Sequence, residues 1–77
     1  MKYADARRQA EQAARRSALR TVVYVSNAGE WAWTTYSNYL HSVIHPFALA
    51  WDSHASNEEN AALLQTATAY MEQTYGA

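Results

Sequence analysis

The sequence predicts an α+β fold: one helix at each end and, between them, an antiparallel β-hairpin with a third strand. Both terminal helices are expected to pack on one face of the small sheet. Three observations carry this expectation. Residues 3–20 are dominated by Ala, Arg, Gln and Glu with no Gly or Pro. Residues 21–36 hold two β-branched and aromatic runs separated by Asn27-Ala28-Gly29. Residues 56–59 read Ser-Asn-Glu-Glu ahead of an amphipathic stretch. With 77 residues and no linker or repeat, the chain is read as a single α+β domain over residues 1–77.

The first helix follows from strong helix formers. At 100° per residue, Tyr3, Ala6, Ala10, Ala13, Ala14 and Ser17 share one side, and Arg8 and Arg15 lie opposite, flanked by Arg7 and Arg16. Side chains this small let a helix approach a sheet closely, or let two helices meet, and the sequence leaves both open.

In the hairpin, Asn27 and Ala28 suit a type I turn, and Gly29 can take the left-handed conformation that closes a three-residue loop with a G1 bulge. Pairing Ser26 with Glu30 sets Val25 opposite Trp31 and Val23 opposite Trp33, with Thr21 and Thr35 on the same face. That face is the expected core. Val22, Tyr24, Ala32, Thr34 and Tyr36 then form a half-exposed second face.

Residues 37–55 admit two parses. The spacing of Tyr36, Leu40, Val43, Ile44 and Phe47 favours a short helix ending before Pro46. The alternative extends the second strand to about Leu40. Phe47-Ala48-Leu49-Ala50-Trp51 alternates, which suggests a third strand with Phe47, Leu49 and Trp51 inward. The last helix opens on the capping box of Ser56 and Glu59, and Leu63, Leu64, Ala67, Tyr70, Met71 and Tyr75 form its apolar stripe. Gly76 ends it.

Composition bounds the function. Hydrophobic residues make up 49% and charged residues 17%, which argues against disorder. Without cysteine there is no disulfide or thiolate metal site to brace a core that, at this size, supplies about 3–5 kcal/mol. Association with a second copy, as a homodimer, or with a larger protein partner is the remaining source of stability. No apolar run is long enough to cross a membrane, so no membrane partner is expected. The Arg-rich start lacks the apolar run of a signal peptide, and Asp5 and Glu11 weigh against a mitochondrial presequence, leaving a cytoplasmic location as the default.

Charge is divided between the two ends of the chain. All six cations, Lys2, Arg7, Arg8, Arg15, Arg16 and Arg20, fall in residues 1–20 with Asp5 and Glu11, a net +4. Residues 21–77 hold Glu30, Asp52, Glu58, Glu59 and Glu72 without a single Lys or Arg, a net −5. Either the basic helix pairs with its own acidic body or a second copy, or its guanidinium groups meet an external anion such as nucleic acid. Glu11 stands four residues from both Arg7 and Arg15, which favours pairing within the helix.

Few residues suggest chemistry. His41, His45 and His54, with Asp52, are acceptable metal ligands by type, but the spacing is generic and Ser42 follows His41 where a metalloprotease motif would have Glu. Two glycines cannot build a phosphate-cradling loop, and no Gly-x-Ser-x-Gly elbow exists. No catalytic residue and no cofactor are therefore expected. Trp31 and Trp33 are read as core. Tyr24, Tyr36 and Tyr39, amphipathic and suited to interfaces, are read with Arg7, Arg8, Arg15, Arg16 and Arg20 as partner-binding residues.

These features lead to a small non-enzymatic protein-binding chain of inhibitor or adaptor type that occludes a surface of a larger partner. Small phage or mobile-element proteins share this size and composition, which is analogy alone. The alternative is a nucleic-acid-binding module using the Arg-rich helix for phosphate contacts.

Overall fold

A computed structural model describes residues 1–42, 45 and 47–76. Its elements run α1 (Tyr3–Ser17), β1 (Thr21–Val25), β2 (Trp31–Thr35), α2 (Tyr36–Ser42), β3 (Leu49–Asp52) and α3 (Asn57–Tyr75). The α+β class and the order of helix, hairpin, third strand and helix are as the sequence predicts.

Helix α1 stops three residues short of the expected end. Ala18 takes a left-handed φ of 57° and its N–H bonds the carbonyl of Ala14. The β-branched run from Thr21 belongs to the sheet, so the chain must reverse here, and Arg20 leaves the helix altogether.

The hairpin has the predicted register, with Thr21, Val23 and Val25 opposite Thr35, Trp33 and Trp31. Ser26 N–H bonds the carbonyl of Glu30, and Gly29, at φ +76°, donates to the carbonyl of Ser26. Gly29 is needed twice over: a Cβ there would lie 2.8 Å from Cγ of Tyr75, whose ring packs under the loop.

β1 is the central strand of a three-stranded antiparallel sheet ordered β2-β1-β3. α1 and α3 pack on its Val23 face. Ala6, Ala10, Val23, Val25, Ala48, Ala50, Trp51 and Ala67 form the core, with Tyr3, Leu64, Tyr70 and Met71 against it. Methyl-sized α1 residues let that helix approach the sheet, and Thr21, wholly buried, donates its hydroxyl to the Ala10 carbonyl at 2.7 Å.

Four expectations are corrected. Trp31 and Trp33 do face α1 but are only half-buried, because β2 is an outer strand with no strand paired on its far side among the described residues. A β-bulge shifts the pairing of β1 with β3 between Val23 and Tyr24, placing Leu49 opposite Tyr24 on the second face. Ala48 and Ala50 then turn inward with Trp51, and Phe47 is left 55% exposed. The middle helix presents Tyr39, not Leu40, to the sheet: Tyr39 is 6% exposed and Leu40 56%. The inward side chains expected of Val43 and Ile44, and the boundary at Pro46, lie outside the described residues.

α2 therefore folds back over the second face. The Tyr39 ring meets Tyr24 edge-on with centroids 5.5 Å apart. Val22, which points away from α1 and α3 on this second face, is fully buried. The capping box at Ser56 and Glu59 starts α3 with both reciprocal bonds formed.

Candidate functional site

The residues singled out by sequence are dispersed over the molecule. On α1, Arg7 pairs with Glu11 at 2.7 Å and lies 6.0 Å above the Trp51 ring, on the side toward α3. Its pKa is raised by the Glu11 hydrogen bond. Arg8 pairs with Asp5, and Arg15 stands 3.8 Å from Glu11. Arg16 has no ion pair among the described residues and lies beside Trp33 with Gln9, Gln12 and Ala13. Pairing within the helix thus follows the spacing of Glu11 from Arg7 and Arg15, Asp5 holds Arg8, and the body holds Arg20.

Arg20 forms the one ion pair between distant parts of the described chain. Its guanidinium bonds both carboxylate oxygens of Asp52, 32 residues away, and lies 3.7 Å from the centre of the Tyr36 ring. Asp52 is buried and its carboxylate also accepts the His54 N–H at 3.0 Å. Burial pushes the Asp52 carboxyl up, but the Arg20 hydrogen bonds and the His54 N–H outweigh it and hold the pKa below the usual carboxylate value. The Asn60 side chain accepts from the Asp52 N–H at 2.9 Å and donates to the Asp52 carbonyl at 3.1 Å. In this way Asn60 occupies the backbone edge of β3 as a neighbouring strand would.

Tyr24 and Tyr36 keep the half-exposed second face that strand alternation predicts for them. Tyr24 and Tyr36 are half-buried on the opposite face of the sheet from α1, and only Arg20 meets one of them. Tyr39 is corrected from contact residue to buried lid, its hydroxyl donating to the His45 carbonyl at 3.1 Å while burial raises its pKa. The histidines do not converge. His41 is exposed on α2, His45 stacks on Tyr70 at 4.0 Å, and His54 sits in the turn before α3. Among the described residues no group of three His, Cys, Asp or Glu could hold a metal ion.

Instead, the tertiary structure brings together a groove of about 430 Å³ at the outer edge of β3. Leu49, Ala55, Ala62 and Leu63 give it an apolar lining, and the Arg20–Asp52 pair, His54 and Glu59 form its rim. A second hollow, bordered by Phe47, Thr66, Ala69, Tyr70 and Gln73, lies further along α3. Sequence reading missed the groove because it depends on the bulge, which turns Leu49 away from the core. The signal available was the pair Leu63-Leu64: adjacent helical positions differ by 100°, so both cannot face one core equally.

No helix of the described chain is long and apolar enough to cross a membrane. Comparison with protein families, curated proteins and solved structures finds no match for this chain.

Proposed function

We propose that the chain is a non-enzymatic protein-binding domain that covers a surface of a larger partner, with the β3-edge groove receiving an apolar anchor side chain. The observation that carries this reading is the groove itself: an apolar floor of Leu49, Ala62 and Leu63 under a polar rim. Such a hollow suits a buried anchor ringed by polar contacts. Its two carboxylates already serve the fold. The Asp52 carboxylate is held by Arg20 and the His54 N–H, and Glu59 closes the capping box. That commitment favours binding over chemistry. Residues 21–77 lack Lys and Arg, and Arg20 on the rim is paired with Asp52, so an anchor flanked by a cationic residue would meet no unpaired guanidinium or ammonium group there.

The test compares three immobilised proteins in a cell lysate: wild type, Leu63→Glu, and Arg8→Ala/Arg15→Ala/Arg16→Ala, each checked for folding by circular dichroism. A protein retained by the wild type, lost with Leu63→Glu and kept by the triple variant is the expected result. Retention of nucleic acid that the triple variant abolishes and that falls steeply between about 50 and 200 mM salt would overturn the reading in favour of phosphate binding.

A further inference from the structure

The two outer strands differ in how they treat their free edges. β3 has four residues, carries a bulge, and has its edge groups at Asp52 taken by Asn60. β2 has five residues, Trp31-Ala-Trp-Thr-Thr, in unbroken register with β1. It contains no charge, proline or bulge, the devices that normally protect an edge. Its hydrogen-bonding phase is set by two bonds at the ends of the ladder, Ser26 N–H to the Glu30 carbonyl and Tyr36 N–H to the Arg20 carbonyl. Alternation then turns the peptide groups of Ala32 and Thr34 toward β1 and those of Trp31, Trp33 and Thr35 outward. Among the described residues no strand pairs with this edge, and Tyr39 of α2 lies against Tyr24 on the second face.

From this edge and the helix above it we infer that the chain forms a symmetric homodimer, β2 pairing antiparallel with β2 of a second copy about a two-fold axis at Trp33. The contact goes beyond the proposed partner groove, which stays open at the opposite edge of each sheet. Trp33 would pair with the partner's Trp33, and Trp31 with the partner's Thr35, joining two three-stranded sheets into one of six strands.

Helix α1 supplies the independent reason for choosing a second copy. It sits over both β1 and β2. With strands ~4.8 Å apart, an axis midway between the two lies ~2.4 Å inside β2, and two copies paired at β2 would place their α1 axes ~9.6 Å apart. That falls within the ~8–10 Å at which helices pack. The side of α1 toward the open edge is marked by Gln9, Gln12, Ala13 and Arg16, which border Trp33. Gln9 accepts the Trp33 indole N–H at 2.9 Å. At 100° per residue Asp5 falls on the same side, 20° from Arg16.

Two such helices crossing antiparallel at the midpoint of Gln9 and Gln12 bring Asp5 of one copy to Arg16 of the other, twice by symmetry. Gln9 meets Gln12 on the same axis. Trp33 lies beside these two glutamines, so the axis that centres the strands also centres the helices. Arg16, without an in-chain ion pair among the described residues, thereby gains one, and Asp5, bonded to Arg8 of its own helix, shares its carboxylate between the two guanidinium groups.

The test is a charge swap, read by sedimentation equilibrium at about 50 mM salt, where exposed charges are least screened. Wild type is expected to be dimeric. Asp5→Arg alone sets Arg against Arg16, and Arg16→Asp alone sets Asp against Asp5, so each variant by itself should dimerise about tenfold more weakly or worse. Mixed in equal amounts, the two variants have complementary helices and should form a heterodimer of near wild-type affinity. A monomeric wild type, single variants that dimerise as well as wild type, or a mixture that stays monomeric would overturn the inference. Both positions lie outside the core, and circular dichroism of each variant separates failed association from failed folding.

Discussion

Replacing Asp52 by Ala tests the contact that ties the basic N-terminal segment to the acidic body. The carboxylate side chain is 6% exposed and its Arg20 partner 35%. Exposed pairs contribute about 0–1 kcal/mol, whereas removing one partner of a fully buried pair costs about 3–5 kcal/mol. Arg20 can rehydrate once released but loses its hold over Tyr36, and the His54 N–H loses its acceptor. We therefore expect a loss of about 2–3 kcal/mol, intermediate between those limits. Urea unfolding followed by tryptophan fluorescence is the assay. With a slope of about 1 kcal/mol/M for a chain this small, the midpoint should fall by about 2–3 M, much of the total stability. A double-mutant cycle with Arg20→Ala should show strongly non-additive losses. Additive losses, or an Asp52→Ala cost below about 0.5 kcal/mol, would refute the view that this pair joins the two halves.

The Asp52 pKa is depressed in the folded state, so its contribution is complete above the ordinary carboxylate pKa and disappears as pH falls through the lower folded value. The stability gap between wild type and Asp52→Ala should stay level from neutrality to about pH 5 and close only below about pH 4, measured by urea midpoints at each pH. Gly29→Ala, at φ +76° with Tyr75 in the way, should cost at least about 1–2 kcal/mol and lower the thermal midpoint. Ala18→Gly, at φ 57°, should have the opposite sign and stabilise by about 0.5–1 kcal/mol in the same scan, because glycine accepts the left-handed helix end without strain. Asn60→Ala exposes the Asp52 backbone edge and should cost about 1–2 kcal/mol, with faster amide exchange at Asp52 as the local signature.

The contrast between the two glycine-related sites shows how far local chemistry reached. Asn27-Ala28-Gly29 together with the alternation of Val23, Val25, Trp31 and Trp33 determined the hairpin and its register, since a turn type and a period of two involve only a few neighbouring residues. The same holds for the capping box of Ser56 and Glu59 and for the segregation of cations into residues 1–20. Contacts distant in sequence decided the rest. The bulge opposite Tyr24 inverted Leu49 and exposed Phe47, and with them created the groove. Tyr39 displaced Leu40 as the inward residue because the Tyr24 ring lay beneath it. Arg20 abandoned the helix for a carboxylate 32 residues away. Trp31 and Trp33 kept one flank open because β2, rather than β1, became the outer strand. Propensity and periodicity set what each segment becomes; which side chain fills a given space depends on partners that only the folded chain brings near.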